Sequence, residues 1–225
     1  NITTHKILPM KAIGYKENLD IENENSLQDI ELETPKAQGR NILVEVKAIS
    51  VNPVDYKVRS GMKADGDKWK VIGWDATGIV KEVGEDVSLF KVGDKVWYAG
   101  DFTRQGSNAE YQLVDERIVG NKPSNLSYAE AAALPLTTLT AWELLFDRLQ
   151  VSKDDESKSI LIIGAAGGVG SIMVQLAKQL TKLNIIGTAS REETTSWLQD
   201  LGVYTVLNHK HKLSEELENH NLPAP

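Results

Sequence analysis

The sequence has no cysteine in 225 residues. Without thiols the chain cannot form disulfides, use a thiolate nucleophile or hold zinc through sulfur. Histidine is scarce as well, and its four copies lie near the two ends of the sequence, at His5, His209, His211 and His220. Single histidines in such places are typical of protein surfaces. The composition therefore excludes several classes of catalytic and metal chemistry before any motif is considered.

The sequence also lacks long apolar runs and long blocks of charge of a single sign. No run approaches the ~20 residues that cross a bilayer, and the chain does not open on a signal peptide, so we expect a cytoplasmic protein with no membrane contact. The net charge is -7 with interspersed signs, which argues against a nucleic-acid surface. With 41% hydrophobic residues, the chain can form one large or two modest domains.

The glycine-rich stretch 164–170 is the strongest motif in the sequence. It follows the apolar run Ser159–Ile163 and precedes a segment with apolar residues at helical spacing. A strand, a tight turn and a helix in this order direct free backbone N–H groups and the positive helix end toward a bound phosphate. The interpretation is a dinucleotide site. A turn whose glycines serve only close packing is the alternative.

The next elements support the first interpretation. Asn184–Ala189 is predicted as a parallel strand, Glu192–Leu201 as a helix that Gly202 ends, and Val203–Leu207 as a third strand. Sites specific for NAD place an acidic residue after the second strand to bind the ribose 2′-hydroxyl.

At that position this chain has Ser190 and Arg191. A guanidinium binds a phosphate through two charge-assisted hydrogen bonds, and a hydroxyl adds one, so this pair predicts NADPH. Ser190 also matches the N-cap of a capping box with Glu193. Both roles are compatible.

The first half of the sequence is predicted to be rich in short strands. They are Lys11–Tyr15, Asn41–Ser50, Val71–Gly73, Thr77–Gly84 and Asp94–Tyr98, whereas 16–39 is polar and acidic. Such strands, separated by turn residues, indicate a β-barrel or sandwich ahead of the α/β unit. A capping box at Ser127 and Glu130 then predicts helices, over Ala131–Leu134 and Leu139–Leu149.

Several stretches in this order resemble the medium-chain dehydrogenase/reductase superfamily along nearly the whole chain. They are Ser50–Asp55, Gly73–Gly78, Val92–Val96, Gly106–Tyr111, Ala131–Pro135 with Thr140–Trp142, and the glycine turn. The similarity is greatest to the quinone oxidoreductase branch, which includes proteins labelled zinc-type alcohol dehydrogenase-like. The resemblance implies an α/β protein with a GroES-like, partly open β-barrel followed by a Rossmann-type parallel sheet.

In the zinc-dependent members of that superfamily, a Cys, a His and a second Cys hold the catalytic metal. The corresponding positions here are Asn52, Trp74 and approximately Leu136, which supply neither thiolate nor imidazole. The cysteine lobe for structural zinc is absent from the sequence as well. We therefore predict no metal, despite the label.

The resemblance implies hydride transfer from NADPH to a quinone or an α,β-unsaturated carbonyl. It assigns Thr140 to the nicotinamide carboxamide, and Gly167, Gly168 and Val169 to the pyrophosphate. The rest of the predicted cofactor set is Gly164, Ala165, Gly170, Ser190 and Arg191.

Asn52 and Asp55 are predicted to line the substrate side. Tyr56 is a candidate proton donor to the acceptor oxygen, and Lys57 could stabilise the negative charge that forms there. Each of these two could equally be a residue of the barrel surface.

Residues 1–9 are read as an extension or expression remnant before Met10, 10–135 as the GroES-like catalytic domain, and 136–225 as the first half of a Rossmann domain. The family's nucleotide domain continues beyond this point, so we expect a fragment of a longer protein that is a homodimer at full length. A non-catalytic NADPH-binding sensor or scaffold is the main alternative function. A zinc-dependent alcohol dehydrogenase is the third hypothesis.

Overall fold

The computed structural model describes residues 9–154, 156 and 158–222. It divides into two compact units, one ending at Leu136 and the other beginning at Thr137. Most of the predicted 1–9 extension lies outside the described residues, although Pro9 already belongs to the first strand.

The first unit contains two antiparallel sheets. One has the strand order β2-β1-β4 and the other the order β7-β3-β5-β6-β8. The strands are β1 (Pro9–Tyr15), β2 (Gln28–Glu33), β3 (Asn41–Ile49), β4 (Lys70–Val71), β5 (Ala76–Val83), β6 (Lys95–Tyr98), β7 (Tyr111–Asp115) and β8 (Val119–Asn121). The unit also contains helices α1 (Pro53–Gly61) and α2 (Tyr128–Ala132) and a short 3-10 helix, Glu116–Ile118.

An isolated bridge joins Ala12 of β1 to Ala109, two residues before β7, and β3 pairs with β5 through two irregularities in register. Such irregularities bend a strand and allow a sheet to curve. The core of the larger sheet consists of inward-facing residues, among them Ile42, Val44, Val80 and Val96. The predicted partly open GroES-like barrel is confirmed.

Three strands of this unit were not predicted, namely β2, β7 and β8. In β2, half-buried and exposed residues simply alternate, and its exposed positions include Asp29, Glu31 and Glu33. An acidic edge strand that buries little apolar surface looks like a loop to a pattern of hydrophobic residues. The predicted strand Val71–Gly73 is wrong in its bounds, because pairing ends at Val71 and Gly73 has a φ of 98°.

The second unit is a parallel sheet in the order β11-β10-β9, with β9 (Ser159–Ile162), β10 (Asn184–Ala189) and β11 (Thr205–Asn208). Its helices are α3 (Pro135–Trp142), which starts at the division between the units, α4 (Gly168–Leu180), α5 (Glu192–Asp200) and α6 (Leu213–Asn219). The expected first half of a Rossmann sheet is confirmed.

Local capping explains two boundaries of the helices, the start of α2 and the end of α5. Ser127 Oγ accepts from the Glu130 N–H and the Glu130 carboxylate accepts from the Ser127 N–H, so the predicted capping box of α2 is confirmed. After α5, the Gly202 N–H donates to Gln199 and the Val203 N–H to Leu198. These two bonds, with a φ of 88° at Gly202, form the predicted glycine cap in its Schellman geometry.

The predicted helix Leu139–Leu149 is wrong as one continuous α-helix. The α-helical part ends at Trp142, and Glu143–Arg148 continues as a π-helix. There the Leu149 N–H donates to the Leu144 carbonyl, five residues back. The spacing of hydrophobic residues could not predict this π-helix. A π-helical turn changes which carbonyl each backbone N–H binds, and the order of apolar residues in the sequence does not report that change.

Candidate functional site

The glycine turn of the second unit joins the end of β9 to the start of α4. Gly164 has a φ of 66°, in the left-handed region that favours glycine, and its N–H donates to Thr188 Oγ1 at 2.9 Å. Gly167 is the N-cap of α4, and its carbonyl accepts the first helical bond from the Ser171 N–H. The first N–H groups of the helix thus lie just after the turn, where a phosphate could accept from them.

An open cavity of about 310 Å³ lies at the carboxyl ends of the three parallel strands. It brings together residues from the glycine turn, from the end of β10 and from the segment after β11. The described lining residues are Gly164, Ala166, Gly167, Thr188, Ala189, Ser190, Arg191, Thr194 and His209. Four predicted cofactor residues, Gly164, Gly167, Ser190 and Arg191, therefore share one cavity.

Other predicted cofactor residues serve packing or lie outside this cavity. Ala165 is fully buried in the core, and a Cβ on Gly170 would stand 2.5 Å from the Ala165 carbonyl oxygen. Gly168 and Val169 form the first turn of α4. Thr140 lies near the end of α3 and is half-buried. Gly170 is thus required for the close approach of helix and turn. For this one glycine, the role is the close packing that the alternative interpretation of the motif proposed.

The predicted capping role of Ser190 is wrong. The N-cap of α5 is Arg191, and Thr194 Oγ1 accepts from the Arg191 N–H at 3.3 Å. The helix starts at Glu192, as predicted, so Glu193 is its second residue and not the third residue that a capping box requires. The Ser190 hydroxyl is therefore not used as a cap, and its residue lines the cavity.

In the first unit, Asn52 lies in a network of buried polar side chains at the start of α1. Its Nδ2 donates to Asp75 Oδ2 at 2.8 Å, and the Ser50 hydroxyl donates to the same oxygen at 3.0 Å. The other oxygen of Asp75 accepts from the Leu136 N–H at 2.7 Å. Asp75 is fully buried, and its carboxylate accepts three hydrogen bonds from two other segments of the chain, residues 50–52 and Leu136.

Asp55 contacts Asn52 through the backbone N–H of Asn52. Its Oδ2 accepts from the Asn52 N–H at 2.6 Å, which caps the first turn of α1. Burial raises the pKa of the Asp55 carboxyl, and hydrogen bonds from backbone N–H groups oppose the shift. Burial likewise raises the pKa of Asp75, against the bonds from Asn52, Leu136 and Ser50. Both carboxyls are thus harder to ionise than exposed aspartates.

Tyr56, the predicted proton donor, projects from α1 with 59% of its surface exposed. Lys57 next to it and Lys63 are exposed as well. Within this unit the structure therefore brings Asn52 and Asp55 together and leaves Tyr56 on the solvent side of the helix.

Sequence reasoning missed three residues of these sites. Asp75 was given no role in binding or catalysis, whereas it is the main acceptor around Asn52. Thr188 and His209 were not considered for the cofactor cavity. The signal was available, because ligands of parallel α/β sheets bind beyond the carboxyl ends of the strands, and these two residues end β10 and follow β11.

A zinc ion does not fit the residues at the positions of the family's catalytic metal. Asn52 uses its amide nitrogen on Asp75, Trp74 is a buried indole, and Leu136 has an aliphatic side chain. Catalytic zinc needs three protein ligands of thiolate, imidazole or carboxylate type. In the described part of the chain, no three such side chains cluster.

Comparison with known proteins gives a family and several relatives. The alcohol dehydrogenase GroES-like domain model matches residues 38–142. A zinc-type alcohol dehydrogenase-like protein of Staphylococcus epidermidis is 44% identical over 95% of this chain and 63% of its own length. The 2-methylene-furan-3-one reductase of Solanum lycopersicum is 39% identical over 81% of this chain and 48% of its own. The chain thus spans less than two thirds of these relatives.

Two solved structures are also similar to this chain. A Rhizobium etli CFN 42 protein, provisionally described as a zinc-dependent alcohol dehydrogenase, is 56% identical with a TM-score of 0.92, over 97% of this chain and 64% of its own. Escherichia coli quinone oxidoreductase, solved with NADPH, is 29% identical with a TM-score of 0.77, over 94% and 62%. The described residues contain no helix long and apolar enough to span a membrane. The matches and the two-unit fold place this chain in the medium-chain dehydrogenase/reductase superfamily, an oxidoreductase family, on its quinone oxidoreductase branch.

Proposed function

We propose that the chain belongs to a metal-free, NADPH-dependent oxidoreductase that reduces a quinone or an α,β-unsaturated carbonyl. The choice of NADPH over NADH rests on one observation. The cavity beside the glycine turn is lined by Ser190, Arg191 and His209, and no carboxylate is among its described lining residues. A carboxylate there would repel a 2′-phosphate, whereas a guanidinium binds it through paired hydrogen bonds.

The acceptor class is supported by similarity and by the residues at the start of α1. The similar proteins include a quinone oxidoreductase and a furanone reductase. A bound nicotinamide would supply the hydride, and the protein has to orient the acceptor and stabilise the negative charge on its oxygen. Asn52 donates one amide hydrogen to Asp75, and we assign its second N–H to the acceptor oxygen.

In this proposal, Asp55 positions Asn52 through its backbone N–H, and Tyr56 supplies the proton that the reduced acceptor takes up. Gly167, Gly168 and Val169 bind the pyrophosphate, and Thr140 binds the carboxamide. A homodimer and a cytoplasmic location are part of the same proposal.

The cofactor choice is tested by fluorescence titration of the full-length protein with NADPH and with NADH. NADPH should bind more tightly, and Arg191→Ala should weaken NADPH by about 10- to 100-fold, the range for lost hydrogen bonds to a charged group. NADH affinity should stay within about threefold. Arg148→Ala, at an exposed arginine paired with Glu143 in the same unit, is the matched control.

Equal affinity for the two cofactors in the unmodified protein would refute the 2′-phosphate assignment. The catalytic part is tested separately, by following NADPH consumption with a panel of quinones and enones. Tight NADPH binding without consumption of any acceptor would favour the sensor or scaffold.

A further inference from the structure

A cavity of about 330 Å³ lies in the first unit and is lined by residues of both sheets. Its apolar lining includes Met10 of β1, Leu32 of β2, Val71 of β4 and Leu113 of β7. Met10 and Leu32 are cross-strand partners in the smaller sheet, whereas Leu113 belongs to the larger sheet. We call it the inter-sheet cavity. Its described lining shares no residue with the cofactor cavity.

The wall of the inter-sheet cavity at residues 104–106 is held to the neighbouring strand β4 by hydrogen bonds. The Val71 N–H donates to Gln105 Oε1 at 2.7 Å, and the Gly106 N–H donates to the Val71 carbonyl at 2.9 Å. The buried Lys70 side chain donates to the Arg104 carbonyl at 2.6 Å. The backbone that carries the Arg104 side chain is therefore fixed in advance, which lowers the cost of binding a ligand there.

Arg104 brings a positive charge to the lining of this cavity and is half-buried. Its Nη2 donates to the neutral Asn41 Oδ1 at 2.8 Å, and its guanidinium forms no salt bridge with any residue that the structure describes. Arg117 of the same unit, by contrast, pairs with Asp115 at 2.7 Å. Because a guanidinium has five N–H donors, Arg104 can still bind an anion.

The acidic residues nearest to Arg104 in the lining and in the sequence do not neutralise it. Glu33 lines the cavity but is exposed at the end of β2, where solvent screens its charge. Asp101 uses its Oδ1 to accept from the Thr103 N–H at 2.9 Å and from the Thr103 hydroxyl at 2.7 Å. The inter-sheet cavity thus combines an apolar wall with a cation that has no carboxylate partner among the described residues.

We propose that the inter-sheet cavity is an accessory binding site for a small carboxylic acid with an apolar tail. The carboxylate pairs with Arg104, and the tail contacts Met10, Leu32 and Leu113. Small-molecule sites are typically cavities of about 300–1,000 Å³ with apolar walls and a few polar groups. A carboxylate accepts two parallel hydrogen bonds from a guanidinium, and the tail gains free energy by leaving water. This site is separate from the proposed reductase reaction.

The experiment titrates the full-length protein with octanoate and follows carbon-13-labelled methionine methyl groups by NMR. Met10 lines the cavity, whereas Met173 lies in the core of the second unit and is the internal reference. The Met10 signal, assigned through Met10→Leu, should move until it saturates, and the Met173 signal should stay in place. Octanol has the same chain length and no charge. It should bind about tenfold more weakly, because it lacks a charged hydrogen-bond acceptor.

Substitutions at Arg104 test the charge. Arg104→Gln should weaken octanoate binding by about tenfold and leave octanol binding within about threefold. Arg104→Lys keeps the charge without the paired geometry, so it should retain part of the affinity for octanoate. Lys91→Gln removes the same charge from an exposed position of this unit and should leave octanoate binding unchanged. Circular dichroism establishes that each variant is folded.

A further variant tests the place of binding. Leu32→Trp fills the cavity from the edge strand β2 and should abolish the response of the Met10 signal to octanoate. A Met10 signal that does not move in the unmodified protein, or one that still responds in Leu32→Trp, overturns the site. Equal affinities for octanoate and octanol, or unchanged octanoate binding in Arg104→Gln, overturn the carboxylate assignment. None of these titrations contains cofactor, so the NADPH site is tested independently.

Discussion

The two candidate sites use polar groups in opposite ways. In the first unit, Asn52, Asp55 and Asp75 face one another, and their hydrogen bonds are made largely within the protein. In the second unit, the turn at Gly164 and the side chain of Arg191 border an open cavity. The first arrangement fixes the position of one amide, whereas the second leaves room for a ligand.

The difference indicates where substitutions should act. A buried carboxylate that serves several donors is a stability element, because its removal leaves those donors without partners in a dry environment. A cavity-lining cation contributes little to folding, because solvent already satisfies it. We therefore expect the first site to respond mainly in stability and the second mainly in binding.

Removal of the Asp75 side chain should have the largest effect. In Asp75→Ala, the Asn52 amide, the Ser50 hydroxyl and the Leu136 N–H lose their acceptor, so the free energy of unfolding should fall by about 3 kcal/mol. Urea unfolding followed by tryptophan fluorescence measures this. Asp67→Ala, at an exposed aspartate, should stay within about 0.5 kcal/mol. A similar result for both variants would show that the buried network does not stabilise the unit.

Glycine substitutions in the turn should separate packing from conformation. Gly170→Ala should cost about 2 kcal/mol because the new Cβ meets the Ala165 carbonyl. Gly164→Ala has open space but an unfavourable φ, so we expect about 1 kcal/mol. Gly168→Ala meets only an ordinary contact with Thr137 at 3.4 Å and is the control for stability. Chemical unfolding measures the loss of unfolding free energy for each variant. A larger loss for Gly168→Ala than for the other two variants would contradict the prediction.

A smaller effect should appear in the pH dependence of Asp55→Asn. The raised pKa of Asp55 means that the folded chain keeps this proton when the unfolded chain has lost it, so its contribution to stability declines as the pH rises above about 4. The cost of Asp55→Asn should therefore be largest in acid and shrink toward neutral pH. Urea midpoints between pH 3.5 and pH 7 test this.

Asp115→Asn provides the opposite case within the same unit. The Arg117 side chain lowers the pKa of Asp115, so the stability that this carboxylate contributes is lost as the pH falls. The cost of Asp115→Asn should grow with rising pH. If the two variants showed the same trend, burial would not be the dominant cause of the Asp55 shift.

The amino-acid sequence by itself determined most of the second unit and the chemical classes that the protein excludes. An apolar strand, a glycine turn and an amphipathic helix are local patterns, and Ser190 and Arg191 follow β10 directly in the chain. The parallel strands and the Schellman cap at Gly202 could be predicted for the same reason. The absence of cysteine needs no structure to exclude thiolate chemistry.

Only the tertiary structure decided what depends on contacts between distant segments. Asp75 reaches Asn52 across 23 residues and Leu136 across 61, and Thr188 links Gly164 to His209. The edge strand β2 likewise depends on a separate segment, because it pairs with β1. Local periodicity reports which face of an element is apolar, whereas hydrogen bonds between remote side chains exist only once the sheets bring their strand ends together.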